Sequence, residues 1–155
     1  MINRRQLAFF ALALFVVSGC GGDGRNKRYK VSGKVTYKGQ PLAKGTIQFY
    51  PEKASADNPG ASGVITDGYY TLSATGAEGD GAYPGAYLVA IESRKTDMTD
   101  AMKKASGGSA RQDDIAKAYA KSILLTPKKY SITDTSGLKA NVETRSNTFD
   151  FELTD

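Results

Sequence analysis

A chain of 155 residues has room for one domain with appendages. It carries 21 basic and 16 acidic side chains, a formal net charge of +5, and is 40% hydrophobic, the composition of a globular chain. Histidine is absent and cysteine occurs once, which excludes a His–Cys zinc site, a His-based triad and an internal disulfide.

The first segment reads as an address. Arg4 and Arg5 precede an unbroken apolar run from Leu7 to Val17. Eleven residues are too few to cross a bilayer core as a helix, which takes about 20. A basic start, a short apolar run and small residues after it have the form of a secretory signal. Val17-Ser18-Gly19-Cys20 then resembles the bacterial lipobox. That resemblance implies lipid transfer to the Cys20 sulfur and cleavage before it. Residues 1–19 are thus expected as a lipoprotein signal peptide, leaving a mature chain of 136 residues. Without Arg4 and Arg5, 19 basic face 16 acidic side chains, so much of the basicity is targeting and nucleic acid is not an expected partner. Membrane lipid is, because two acyl chains anchor stably. The expected location is a bacterial membrane, on its periplasmic or outer face.

Residues 20–28 are expected as the lipidated cysteine and a flexible tether, with Gly21, Gly22 and Gly24 supplying the freedom. Arg25, Lys27, Arg28 and Lys30 either face anionic headgroups or are ordinary solvated linker charges.

Period-two patterning begins at Tyr29. Val31, Gly33, Val35 and Tyr37 fall on one side and Lys30, Ser32, Lys34 and Thr36 on the other. Lys38-Gly39-Gln40-Pro41 is a turn. Thr46 to Tyr50 is a second strand with Ile47 and Phe49 inward, and residues 52–61 are a loop. Ser62–Ile65 and Tyr69–Ser73 flank Asp67-Gly68, a strong hairpin signal. Gly76–Gly85 is a glycine-dense loop. Ala86–Ser93 follows with Tyr87, Val89 and Ile91 inward, and Lys139–Glu143 and Thr148–Leu153 complete seven candidate strands. Short strands at this spacing predict a mainly β fold, a seven-stranded antiparallel Greek-key sandwich over residues 29–155.

Residues 95–124, between strands five and six, read instead as a helical insertion. Ser109-Ala110-Arg111-Gln112 fits a capping box, and Ile115, Ala118, Tyr119 and Ser122 or Ile123 share one helical face. A shorter helix is expected from Asp97 to Ala105. The insertion is a lid, a partner-binding face or a decoration; the last has the stripe packing on its own core, the usual fate of an amphipathic helix.

Three segments carry a family resemblance. Val31-Ser32-Gly33-Lys34-Val35 with Gly39-Gln40-Pro41-Leu42 resembles the opening of carboxypeptidase-regulatory-like, or transthyretin-like, domains. Asp67-Gly68-Tyr69-Tyr70-Thr71-Leu72 resembles their hairpin, and Tyr83-Pro84-Gly85-Ala86-Tyr87-Leu88-Val89 the start of their following strand. The arrangement is similar to small exported lipoproteins of the planctomycete type. The resemblance implies the sandwich fold. Some transthyretin-like proteins hydrolyse hydroxyisourate with histidines and an arginine, and a chain without histidine does not inherit that chemistry. The family's core unit also lacks the helical segment.

No catalytic signature emerges. Asp67, Glu78, Asp80 and Glu92 are the acids nearest to a hydrolytic pair, with nothing to bring two of them together. Glu78-Gly79-Asp80-Gly81 lacks the ligand spacing of a calcium loop. A Ser–Lys pair from Ser106 or Ser109 with Lys103 or Lys104 would sit in glycine-rich surroundings that suit catalysis poorly. Gly76–Gly81 lacks the Lys-Ser/Thr of a phosphate loop. The expectation is a non-enzymatic module without metal or cofactor, serving structure, adhesion or scaffolding in the cell envelope. The alternative is a periplasmic carbohydrate- or peptide-binding module. Tyr50, Tyr69 and Tyr83, at strand ends or outward positions, are its candidate contacts with an envelope protein or glycan.

Overall fold

A computed structural model describes residues 27–97 and 111–155. The signal segment, Cys20, nearly all of the tether, the shorter helix after Asp97 and Ser109 lie outside the described residues.

The seven expected strands form, with boundaries moved by a residue or two. They are β1 (Val31–Tyr37), β3 (Lys44–Pro51), β4 (Ala61–Thr66), β5 (Tyr69–Thr71), β6 (Gly85–Glu92), β9 (Leu138–Val142) and a last strand in two pieces, β10 (Asn147–Thr148) and β11 (Phe151–Leu153). Short additions are β2 (Gln40–Pro41), which folds back on β1, and the ribbon of β7 (Arg94–Lys95) with β8 (Ile123–Leu124). Both predicted tight turns have the positive φ angles of mirror-image hairpins: Lys38 and Gly39 at 52° and 76°, Asp67 and Gly68 at 50° and 84°.

The inward residues match the period-two reading. Val31, Val35, Ile47, Phe49, Ile65, Tyr70, Leu72, Tyr87, Val89, Ile91, Phe151 and Leu153 form one buried cluster. Its centre is aromatic, with Phe49 within 5.7–6.2 Å of Tyr87, Phe149 and Phe151.

Two features of the expected sandwich are corrected. The strands join into one curled, nine-stranded sheet in the order β10-β1-β5-β4-β3-β6-β9, with β2 and β11 also on β1. And the last strand runs parallel to β1, with Val31 opposite Asn147 and Val35 opposite Phe151, so the sheet is mixed. Between those two stretches, which share one register, the ladder is interrupted at Phe149 and Asp150. The Phe149 N–H still donates to the Ser32 carbonyl (3.0 Å), but its own carbonyl turns inward and accepts the Tyr70 hydroxyl (2.8 Å). The Lys34 N–H, left without a ladder partner, donates to the Asp150 Oδ1 (2.8 Å). Gly33 faces this break. A β-carbon there would lie 1.8 Å from the Phe149 carbonyl oxygen, so the strand needs a residue with no side chain.

The helical insertion is also corrected in part. Helix α1 spans Gln112–Ala120 with Arg111, not Ser109, in the capping position and no side chain bonded there. Its expected stripe does not sink into the core. Ile115 and Ala118 are half-buried, but Tyr119 is 58% and Ile123 66% exposed. The physical reason is the β7–β8 ribbon, whose paired strands open and close the segment as a stem outside the main sheet. Past it, a 3-10 turn (Lys128–Ser131) and helix α2 (Thr133–Ser136) lie against β6, where the Ser136 hydroxyl donates to the Val89 carbonyl (2.6 Å).

Candidate functional site

The 3-10 turn and α2 lie against β6, with Tyr130 in the core cluster, and among the described residues the outward positions of β1, β5, β4 and β3 are mostly exposed. Residues of one strand face alternate sides. The even-numbered positions of β1, β3 and β4 and the odd-numbered positions of β5 therefore point outward together. Register aligns Ser32 with Thr71, Lys34 with Tyr69, Thr66 with Tyr69, and Thr46 with Val64. The result is a broad, open groove of about 1120 Å³. Its floor is small hydroxyl side chains with Gln48, and its large exposed apolar groups are Val64 and Tyr69, 70% and 60% exposed. Glu78, Lys34 and Asp150 are its charged groups. The Lys34 ammonium lies 5.3 Å from the centre of the Tyr69 ring.

The three candidate tyrosines do not converge. Tyr69 belongs to the groove. Tyr50 is exposed on the same side of β3, bonded through its hydroxyl to the Gln48 amide oxygen, and lines a smaller recess with Gln48 and Ser62. Tyr83 lies apart, in a recess of about 350 Å³ with Asn58, Lys27 and Thr144. The Arg28 guanidinium covers it: Nη1 donates to the Tyr83 hydroxyl (3.0 Å), and its carbon is 5.5 Å from the ring centre. The Tyr83 carbonyl accepts the buried Tyr87 hydroxyl (2.7 Å), which Asn58 also contacts.

Arg28 therefore belongs to the folded domain, although its position in sequence suggests tether. Its Nε is 3.2 Å from the Asp80 Oδ2. Asp80 in turn fastens the glycine-dense loop: Oδ1 accepts the Ala74 N–H (2.7 Å) and Oδ2 accepts the Thr75 hydroxyl. This loop carries Gly76 and Glu78 to the wall of the groove. Of the other candidate acids, Glu92 is paired with Arg94, and Asp67 occupies the hairpin turn. Among the described residues no group of three or more His, Cys, Asp or Glu is placed to hold a metal ion.

Burial by itself would raise the Asp80 carboxyl. The bonds from Thr75 and the Ala74 N–H and the charge of Arg28 outweigh it and hold the group below the ordinary carboxylate value. Its folded value is then below its unfolded one, so Asp80 adds stability above the unfolded value and loses it as pH falls through the folded one. Asp80→Asn is expected to lower the urea midpoint at neutral pH. It is also expected to flatten the further fall of that midpoint as the pH drops below about 4. A variant as acid-sensitive as the wild type would show that Asp80 is not the group responsible.

Alternation places Ser32 and Lys34 on the side of β1 away from the core, and no single strand announces the groove. The signal present was serine and threonine, instead of long charged residues, at outward positions of several strands in succession.

No protein-family model matches the chain, and no curated protein matches it. Among solved structures, the chain is similar to a DUF3823 family protein from Parabacteroides merdae, at 16% identity and a TM-score of 0.40. The matched region covers 83% of this chain and 46% of that one, so the chain spans less than half the length of its structural neighbour.

Proposed function

We propose that the protein is an exported lipoprotein, anchored through acylated Cys20, whose β domain is a non-catalytic module of the cell envelope. The finer fold we assign is the transthyretin-like sandwich, in which the curled sheet closes on itself around the aromatic centre. The observation that carries the anchoring is the order of the first twenty residues: cations, short apolar run, small residues, cysteine. Arg28, eight residues after that cysteine, is paired with Asp80 of the domain. A chain of eight residues spans at most about 28 Å, so the domain stays close to the bilayer. Work by presentation, as structure, adhesion or scaffold, is supported by the use of the candidate acid Asp80 as a loop fastener.

Anchoring is tested by metabolic labelling with a palmitate analogue. The wild type is expected to carry label and partition with membranes, and Cys20→Ala is expected to do neither. Equal labelling of the two would sink the anchoring.

A second reading, a carbohydrate- or peptide-binding module, is favoured by one observation: the open, hydroxyl-lined groove with exposed Tyr69 at its floor. Glycan and peptide arrays probed with the whole chain test it, and silence on both with folded protein would count against it.

A further inference from the structure

The groove has a chemistry that separates one ligand class from others. We propose that it binds an uncharged glycan chain laid across β1, β5, β4 and β3, with the Tyr69 ring as the platform for one sugar. This rests on the ligand-binding reading and adds the ligand class and the site.

Peptide is disfavoured by the backbone. β1 with β5 and β3 with β4 are laddered neighbours, β4 meets β5 through Thr66–Tyr69 and the Ser62–Ser73 bridge, and the Lys34 N–H is taken by Asp150, so these strands present the groove with side chains and not with a free edge. An extended peptide laid on this side finds no free strand edge to pair with. Nor does it find a deep apolar pocket for an anchoring side chain, because Val64 and Tyr69 stand on an open surface.

Anionic polymers are disfavoured by charge. Among the described residues Lys34 is the groove's one cation, against the two carboxylates of Glu78 and Asp150. Its ammonium already lies over the Tyr69 ring. A nucleic acid or a uronic-acid polymer would meet a site with no surplus of positive charge.

What remains suits a sugar chain. The hydroxyls of Ser32, Thr46, Ser62, Thr66 and Thr71 each donate and accept, as sugar hydroxyls do. Gln48 adds an amide with both functions. Strands about 4.8 Å apart set these hydroxyls in a grid, about 14 Å from β1 to β3, which is long enough for more than one ring. Tyr69 is 60% exposed even with the Lys34 ammonium over its ring, and it supplies an apolar face with a polar tip, suited to a ligand that is apolar on its ring faces and polar at its rim. The wall formed by Gly76 and Glu78 is held in place by Asp80 and Arg28, so one side of the groove is ordered before a ligand arrives.

The test uses the whole lipidated chain in a zwitterionic detergent, since sugar-headed detergents would compete. Titration calorimetry is run with neutral gluco-, xylo-, manno- and chito-oligosaccharides, with oligogalacturonate as the anionic probe, and with a pool of random peptides. Variants are Tyr69→Ala and Gln48→Ala, with Tyr119→Ala as an exposed tyrosine outside the groove. Cooperative urea unfolding of each confirms that it is folded. At least one neutral sugar is expected to bind. Tyr69→Ala is expected to weaken it by about tenfold, Gln48→Ala by less, and Tyr119→Ala not at all. Peptide binding without sugar binding, or a preference for oligogalacturonate, would overturn the ligand class and leave a binding module standing. Sugar binding untouched by Tyr69→Ala and Gln48→Ala would overturn the site. No binding to any probe by folded protein would overturn both this inference and the reading beneath it.

Discussion

Gly33→Ala is expected to remove a large part of the domain's stability, about 3 kcal/mol or more. The new methyl carbon would meet the Phe149 carbonyl oxygen at 1.8 Å, far inside contact distance. Overpacking usually costs about 1–3 kcal/mol because neighbours shift to relieve it. Here the neighbour is backbone held from two sides. Its carbonyl accepts the Tyr70 hydroxyl, and its N–H is bonded to the Ser32 carbonyl. Relief would break one of these or pull the last strand off β1. Gly39→Ala is the control. Its φ is +76°, yet nothing lies within 4 Å of the added carbon, so it pays only the left-handed backbone cost of about 1–2 kcal/mol. Urea midpoints of both variants decide the matter. Should Gly33→Ala cost no more than Gly39→Ala, the inward Phe149 carbonyl is not where this structure puts it.

The same glycine marks what the sequence made legible and what it hid. A strand with a glycine at its third position was readable as part of a family-like opening segment, but the reason for it was not. That reason lies 116 residues away, in an inward backbone carbonyl at Phe149 that alternation cannot reveal. Thr148 to Leu153 alternates cleanly, so its inward residues were readable, and Phe151 and Leu153 are buried. Alternation is the same whichever way a strand runs, however, so the parallel pairing with β1 was hidden. It also says which side of a strand is covered and not by which neighbour, so the joining of the strands into one curled sheet was hidden as well. Tight turns were readable because Lys38-Gly39 and Asp67-Gly68 need backbone angles that few residues adopt.

The candidate site was less legible for a related reason. Outward serines and threonines are unremarkable within any one strand. They become a groove only when register sets Ser32 beside Thr71 and Thr46 beside Val64. Arg28 and Asp80 illustrate the same limit at longer range. One looked like tether and the other like a solvated acid, and only folding brings them to 3.2 Å. Of the three tyrosines chosen from their outward positions, Tyr69 reaches the groove, Tyr50 its margin, and Tyr83 a separate recess under Arg28.

Phe151→Ala is expected to cost about 3–5 kcal/mol, the usual range for truncating a buried phenylalanine. That is a large share of the total for a domain with about 5–15 kcal/mol. Phe151 is 8% exposed, its ring 6.2 Å from Phe49 in an edge-on contact and 6.5 Å from Tyr70. It also sits opposite Val35 in the parallel pairing, so its loss loosens the seam that the last strand makes with β1. Replacing residues 97–122 by a short Gly/Ser turn is expected to cost much less. The cut falls above the stem: Arg94 still faces Leu124, Lys95 still faces Ile123, and the Leu125 N–H still reaches the Ser93 carbonyl. What is removed includes α1, whose Tyr119 is mostly exposed. A shorter loop is also slightly cheaper to close, by about 0.6 kcal/mol per halving. Urea midpoints and slopes of the two variants test the pair together. A trimmed chain that unfolds while Phe151→Ala stays folded would make the insertion part of the core. The reverse order would place the stability of the domain in its aromatic centre and the seam beside β1.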